Sequence, residues 1–294
     1  NIKSASGELL SKVDSIEPTD EQSILGLSVA QALAIFDRAN DGSATNNSNP
    51  DGSLRATYTI SDSASNVAAA DSDLINASNG VTLTTAATVA EATELVKFNT
   101  FGGTLTFSIN DTKSNLFDNS SALKDINLIN KANNIRVVVD PSSTDLTTAS
   151  ISVAEATNLK AAKNSGTETY SITDSISNLV NAASNDDQKA AIESSSASVT
   201  LSGGTANASQ ASSLASYTKP VVYNVVDNGA AISASSVTSA ALNEAVKITV
   251  TGVSTASEAS IALSATNSGA TLVDSISGKS SDIKGLSLTS NDTV

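Results

Sequence analysis

The side chains best able to do chemistry are the oxygen ligands of a polar stretch at residues 37–53, DRANDGSATNNSNPDGS. It begins like an EF-hand loop, with Asp37 at the first position and Asp41 at the fifth. Ala39 and Ser48, however, occupy positions where that loop needs Asp or Asn and a bidentate Glu. A solvated turn held by backbone preferences is therefore the alternative to calcium binding. The calcium ligands predicted from this stretch are Asp37, Asn40, Asp41 and Asp51.

A second set of carboxylates ends a recurring motif, aromatic-x-aliphatic-x-Asp-polar. In a strand, residues two apart share a face, so the aromatic and the aliphatic residue should point inward together and stack into a ladder of rings. The aspartates either bind calcium between layers or cap the helix after each strand, and repulsion between stacked like charges favours capping. The motifs begin at Tyr58, Phe107, Tyr170, Tyr223 and, without the aromatic, Ala270, and end at Asp62, Asp111, Asp174, Asp227 and Asp274.

Residue types that most enzymes need are absent from the chain. It contains no His and no Cys, so it lacks the usual general base, the favoured transition-metal ligand and a thiol nucleophile. The sequence also shows no Gly-rich phosphate loop and no Ser-Lys dyad. We therefore predict that the protein is not an enzyme and that calcium is its only candidate cofactor.

Helix starts recur at a fixed place relative to these motifs. In each, an N-cap residue precedes Glu or Gln by three positions, the pattern of a capping box in which the two side chains bind each other's backbone amides. Five copies in a common phase predict five helices. The pairs are Ser28 and Gln31, Thr88 and Glu91, Ser152 and Glu155, Asn207 and Gln210, and Thr255 and Glu258.

Strands and helices are predicted to alternate along the chain. The first full unit reads as strand 57–61, helix 63–77, strand 81–84 and helix 89–97. Further strands are expected near residues 106, 137, 170, 200, 223, 249 and 271. Such alternation implies parallel pairing through right-handed crossovers. We predict an α/β repeat solenoid, with parallel strands alternating with short helices in two strand-helix layers per repeat of about 50 residues. An all-β solenoid is the alternative.

The predicted repeats form one continuous elongated domain. A partial repeat and polar loop (1–55) precede repeats at 56–103, 104–166, 167–219 and 220–268, and a partial repeat covers 269–294. The chain has no Met, even at position 1, so we expect an internal or processed segment of a longer polypeptide.

The sheet face away from the helices is predicted to carry threonines. Regularly spaced Thr suggests ice binding, but Thr also suits strands in general and the repeats are unequal in length, which disfavours that interpretation. The predicted face holds Thr57, Thr59, Thr82, Thr84, Thr104, Thr106, Thr169, Thr200, Thr249 and Thr251.

Charge and hydropathy limit the partners. With 16 Lys and Arg against 30 Asp and Glu, the formal net charge is −14. This excess of negative charge argues against nucleic acid and anionic membranes as partners, and it is compatible with divalent cations. The sequence has no apolar run of about 18 residues, so no membrane insertion is expected.

Two segments carry a family resemblance. Tyr170-Ser-Ile-Thr-Asp-Ser-Ile-Ser-Asn-Leu and Ser152-Val-Ala-Glu-Ala-Thr-Asn-Leu, with their cognates over most of residues 24–285, resemble repeats of large secreted bacterial surface proteins. These include cyanobacterial and RTX-associated surface-layer (S-layer) and adhesin proteins. The glycine-rich nonapeptide calcium repeats of RTX proteins are not present. The segments also resemble repeats in fibres of marine phages.

The resemblance implies a secreted structural segment at the cell surface that self-assembles into an S-layer, a filament or an adhesive stalk. It also implies a surface glycan as a candidate partner. The alternatives are a phage tail fibre or another virion structural protein, and a carbohydrate- or host-binding adhesin module, which the shortage of aromatic residues disfavours.

Overall fold

The computed structural model describes residues 24–40, 58–98, 105–194 and 199–287. The chain divides into two compact units. Unit 1 comprises Asn1–Leu116, Lys124–Leu146 and Ala162–Thr167. Unit 2 comprises Phe117–Leu123, Thr147–Ala161 and Glu168–Val294. The repeat boundaries inferred from the sequence stay a prediction.

Unit 1 alternates strands and short helices. Its elements are β1 (Ile24–Leu27), α1 (Val29–Asn40), β2 (Tyr58–Asp62), α2 (Ala64–Ala68), α3 (Ser72–Asn76), β3 (Val81–Leu83), α4 (Val89–Leu95), β4 (Ile109–Asp111), α5 (Lys113–Leu116), α6 (Ile126–Lys131) and β5 (Ile135–Val137). Strands β1, β2 and β3 pair in parallel in that order, and β4 pairs in parallel with β5. A parallel bridge from Ala87 to Ile109 connects the segment before α4 to β4.

Unit 2 continues the alternation with longer strands. Its elements are β6 (Ser150–Ile151), α7 (Val153–Lys160), β7 (Glu168–Thr169), β8 (Ser171–Asp174), α8 (Ile176–Ala182), α9 (Asp186–Glu193), β9 (Val199–Ala206), α10 (Ala208–Leu214), β10 (Val221–Asn228), α11 (Gly229–Ile232), α12 (Ser239–Asn243), β11 (Ile248–Thr255), α13 (Ala256–Leu263), β12 (Thr271–Ser277) and α14 (Ser280–Lys284). One six-stranded parallel sheet has the order β6-β8-β9-β10-β11-β12, so its neighbours follow chain order.

The predicted mixed α/β class with parallel strands is confirmed, and the helices rule out the all-β alternative. The single helix predicted over 63–77 is wrong, because the chain there forms α2 and α3 with a break at residues 69–71. Asp71 causes the restart, since its side chain accepts a hydrogen bond from the Asp73 amide and caps α3. Asn185 does the same between α8 and α9, where it accepts from the Gln188 amide.

The inward pairing of aromatic and aliphatic residues is confirmed in the first four motifs. The buried pairs are Tyr58 with Ile60, Phe107 with Ile109, Tyr170 with Ile172, and Tyr223 with Val225. The predicted ladder of rings is wrong in unit 2, because β9 separates the strand that follows Tyr170 from the strand that carries Tyr223.

The fifth motif has the opposite phase. Thr271 and Val273 are its buried residues, whereas Leu272 is half-buried and Asp274 is exposed. A shift of one residue turns every side chain of a strand to the other face. Asp274 therefore points away from the core, unlike its four sequence counterparts.

A tight turn precedes β12, and glycine is required there for steric reasons. A Cβ atom placed on Gly269 would lie 2.2 Å from the backbone oxygen of Val246. Gly166, in the same Asn-Ser-Gly context, would similarly place a Cβ 2.2 Å from the oxygen of Asn133. At both glycines, the backbone of the turn therefore packs directly against the backbone of another segment of the chain.

Replacing Gly269 by Ala is expected to lower the free energy of unfolding by about 1–3 kcal/mol, because the turn must move away from Val246. Urea unfolding followed by circular dichroism measures the change. Gly278→Ala is the matched control in the same unit, since its nearest contact, Ala256 Cβ at 3.6 Å, is an ordinary one. Equal stabilities of the two variants would contradict the steric explanation.

Candidate functional site

The aspartates at the ends of the motif strands lie between two helix starts. In unit 2, Asp174 Oδ2 accepts from the Val153 amide at 2.8 Å, and Val153 is the first residue of α7. Its Oδ1 accepts from the Ser175 amide and from Asn178 Nδ2, both at 2.7 Å. One carboxylate thus joins the helix that precedes its strand in the chain to the helix that follows it.

The same arrangement, here called the aspartate clamp, occurs at four of the five motif aspartates. Asp62 accepts from the amides of Val29 (2.9 Å) and Ser63 (2.7 Å), Asp111 from those of Val89 and Thr112 (both 2.7 Å), and Asp227 from those of Ala208 (3.2 Å) and Asn228 (2.9 Å). The side-chain amides of Asn66 (2.8 Å) and Asn115 (2.7 Å) complete the clamps of Asp62 and Asp111.

The clamp completes the capping of the helices that begin with a capping box. The predicted reciprocal bonds are present at all five starts. They satisfy the third amide of each helix and leave the first amide open, and the clamp fills that position with a carboxylate at four starts. An anion at a helix N-terminus is favourable because the helix dipole and the free N–H groups both attract it.

Hydrogen bonding favours the ionised form of a clamp carboxylate. Burial opposes ionisation of Asp62, but the bonds from Asn66, Val29 and Ser63 outweigh it and hold the pKa of Asp62 below its usual value. Asp62 therefore stabilises the fold while it is ionised, and this contribution is lost as the pH falls through its lowered pKa.

The predicted capping of the following helix needs correction. The residue after each aspartate is the N-cap in three of the motifs, and its side chain accepts from the amide three positions on (Ser63, Ser175 and Asn228). The aspartate binds that residue's own amide and reaches back to the earlier helix. Asp274 departs entirely, because it accepts instead from the Gly252 amide at 3.0 Å, beside a register shift in the pairing of β11 with β12.

The calcium site predicted from the polar stretch at residues 37–53 lies only partly within the described residues. Asp37 and Asn40 belong to the final turn of α1, while Asp41 and Asp51 lie outside the described residues. Calcium binding there stays a prediction. Within the described ranges, no group of three or more His, Cys, Asp or Glu residues is placed to hold a metal ion. Each clamp carboxylate already accepts three hydrogen bonds, the third at Asp227 coming from Asn228 Nδ2 at 3.4 Å, which gives these groups a structural role.

The tyrosine hydroxyls also bind the backbone. Tyr58 donates to the Leu74 oxygen in α3 (2.9 Å), Tyr170 to Ala191 in α9 (2.7 Å), and Tyr223 to Ala241 in α12 (2.9 Å). Burial raises the pKa of each of these three phenols. In these three motifs, the tyrosine binds the strand to the second helix after it, and the aspartate binds the strand to the start of the helix before it.

Sequence reasoning missed the asparagine partners of the clamp. Asn66, Asn115 and Asn178 each follow the clamp aspartate by four positions. The signal Asp-Ser/Thr-x-x-Asn is present in the sequence at all three. It could have been found by extending the motif into the following helix turn.

Two cavities of unit 2 differ in their lining, and one of about 350 Å³ beside α11 and α12 has Ile232, Leu242 and Ile261 in its wall. A cavity of about 470 Å³ in unit 2 lies between the start of α13 and α14, with Thr255, Ser260 and Ser277 in its wall. Asp282 is its one titratable residue.

Comparisons with known proteins give no assignment: no protein-family model, no curated protein and no solved structure matches this chain. Over the described ranges, no helix is long and apolar enough to cross a membrane.

Proposed function

We propose that this chain is a structural repeat segment of an extracellular surface protein. Its strand-helix units stack as an α/β solenoid that self-assembles into a surface layer, filament or adhesive stalk. The observation that carries the proposal is the six-stranded sheet of unit 2, whose parallel strands are neighbours in chain order. In repeat proteins each segment buries its apolar face against its sequence neighbours, which gives this order.

The aspartate clamp supports a mechanical role. Asp174 belongs to the motif after α7 in the chain, and yet it satisfies the first amide of α7. Each of the first four motifs therefore completes the start of a helix that precedes it in the chain. Segments linked in this way resist separation one at a time, because opening one joint leaves a carboxylate and an amide unpaired. That property suits a stalk or a layer that carries load.

The surface chemistry agrees with a secreted structural protein. The chain is acidic, with a formal charge of −14, and rich in Ser, Thr and Ala. A surface of this kind stays hydrated and binds divalent cations more readily than nucleic acid. Calcium bound by the polar stretch at residues 37–53 would offset repulsion between acidic copies.

Electron microscopy of the purified chain, with millimolar calcium and again with chelator, tests the proposal. Filaments or layers in either condition support it. Assemblies that dissolve on chelation add the calcium link. Monodisperse particles in both conditions, at every concentration reached, would overturn self-assembly as the function.

A double variant tests separately whether calcium bound at residues 37–53 promotes assembly. Asp41→Asn combined with Asp51→Asn removes two carboxylates from the predicted site and retains an oxygen at each position. If calcium acts there, the double variant assembles in calcium no better than the parent chain assembles in chelator. Asp140→Asn combined with Asp145→Asn, in another polar loop, is the charge-matched control.

A further inference from the structure

The sheet of unit 2 has an uncovered side. Along β10, Tyr223 and Val225 are buried, whereas Val222 and Val226 are 49% and 36% exposed. In β11, Ile248 and Val250 are fully buried, and Thr249 between them is half-buried. The outer face of the sheet is defined here by Val222, Val226, Lys247, Thr249, Leu272 and Asp274.

The pairing register of β10, β11 and β12 places three of these residues in one row across the strands. Val226 pairs with Thr249, and Thr249 pairs with Leu272. Lys247 comes two residues before Thr249, and Asp274 comes two residues after Leu272. Each charged residue therefore lies about 7 Å from the row along the strand direction, one on each side of it.

Lys247 and Asp274 are the charges of this face. The other outward positions of β9, β10 and β11 carry Thr, Ser, Val and Asn. Within the described residues no carboxylate lies within ion-pair distance of Lys247. Asp274 is exposed because its motif has the opposite phase, and its one described bond is to the Gly252 amide. The face is thus neutral overall on a chain of formal charge −14.

We infer that this outer face binds the same face of a second copy of the chain, around a twofold axis that runs along the row of Val226, Thr249 and Leu272. The inference rests on the proposed function and names the surface through which copies meet. A twofold axis along the row reverses strand direction between the copies. Lys247 of each copy then faces the side of the row on which Asp274 of the other copy lies.

The resulting contact is self-complementary. Val226 and Leu272 lie at its centre, and two reciprocal Lys-Asp pairs flank them. Sheets packed face to face lie about 10 Å apart and neighbouring strands about 4.8 Å apart, so the lysine side chain can span the offset of one strand. Elsewhere two acidic copies repel each other, which makes a neutral, self-complementary face the favoured place for contact.

The area of the face sets the strength of the contact. Only residues close to the row have counterparts on both sides of it, because Val226 lies near the end of β10 and Thr249 and Leu272 lie near the starts of β11 and β12. About five residues on each of these three strands, at about 4.8 Å per strand and 3.3 Å per residue, offer about 240 Å² per copy, or about 500 Å² in total. That total lies below the range of stable specific interfaces. The dimer is therefore weak and reversible, and it gains strength where many copies are held in one array.

A charge-swap cycle in the full chain tests the inference. Sedimentation velocity over a concentration series gives the dimer dissociation constant of the parent chain, Lys247→Glu, Asp274→Lys and the double variant. Each single reversal is expected to weaken dimerisation at least about tenfold, because two like-charge contacts replace two pairs. The double variant restores the parent constant. Asp145→Lys, in an exposed loop of unit 1, changes net charge as much as Asp274→Lys and leaves the face intact.

The outcomes separate this inference from the proposed function. Unchanged dimerisation in both single variants, or a double variant as weak as the singles, overturns the contact. If such variants still form filaments or layers in the microscope, self-assembly stands and proceeds through another surface. A parent chain that stays monomeric throughout the series and forms no assemblies overturns both.

Discussion

Asp174→Asn is expected to lower the free energy of unfolding of unit 2 by about 2–3 kcal/mol, because it breaks an aspartate clamp. The variant has the same size, but its side chain must turn an NH2 group toward one of the two amides that the carboxylate accepts from, Val153 or Ser175. Donor then faces donor at a helix start, and the favourable charge at the α7 dipole is lost. Urea unfolding followed by circular dichroism measures the loss.

Asp274→Asn is the matched control, since it changes the same letter of the same sequence motif in the same unit. Asp274 faces outward and receives one amide bond, from Gly252, so we expect a change within about 0.5 kcal/mol at dilution where the chain is monomeric. Hydrogen exchange localises the effect: the Val153 amide should lose protection in Asp174→Asn and keep it in Asp274→Asn. Equal destabilisation by the two variants would contradict the clamp.

The contrast between these two aspartates shows where sequence reasoning reaches its limit. The capping boxes were predictable because both partners lie within four residues, as in Ser152 and Glu155. The partner of Asp62 is the amide of Val29, 33 residues away. No local pattern encodes that contact, because it depends on how the two segments stack.

The phase of the fifth motif was unpredictable for a related reason. Ala270, Leu272 and Asp274 fit the pattern of the other copies, but a pattern of period two does not fix which face becomes buried when the aromatic residue is missing. The register of β12 against β11 places Thr271 opposite Ile248 and Val273 opposite Val250, and it shifts only afterwards, beside Gly252. Without a large ring, Thr271 and Val273 take the inward positions.

The sequence contains opposing indications at the break between α2 and α3. Ala68, Ala69 and Ala70 have high helix propensity and predict one continuous helix. Asp71 can restart a helix as an N-cap, but an Asp inside a helix costs only a few tenths of a kcal/mol in helix propensity. Packing decides between them, since the restart buries Leu74 and Ile75 and provides the Leu74 oxygen that Tyr58 binds.

Raising the pH is expected to unfold the protein steeply, through its buried phenols. All four tyrosines are buried, and burial raises the pKa of each. In the unfolded chain they ionise near pH 10. Since the folded state keeps its phenolic protons above that pH and the unfolded state loses them, the phenols leave the free energy of unfolding unchanged below about pH 10 and lower it above that pH. Each phenol contributes about 1.4 kcal/mol per pH unit, so the three tyrosines of unit 2 contribute about 4 kcal/mol per pH unit.

Tyrosinate absorbance and far-ultraviolet circular dichroism, recorded on one sample during an alkaline titration, check this expectation. The chain has no Trp, so the absorbance change reports tyrosine alone. We expect the two signals to change together, well above pH 10, in one steep transition.

Tyr223→Phe should reduce by about one third the slope with which the free energy of unfolding of unit 2 falls with pH. The ring remains acceptable, because Phe107 is buried at the equivalent motif position, and the cost at neutral pH is about 1 kcal/mol for the lost bond to Ala241. Gradual ionisation centred on pH 10 with an unchanged dichroism spectrum would show that the phenols are open to solvent, contrary to their hydrogen bonds with the helix carbonyls.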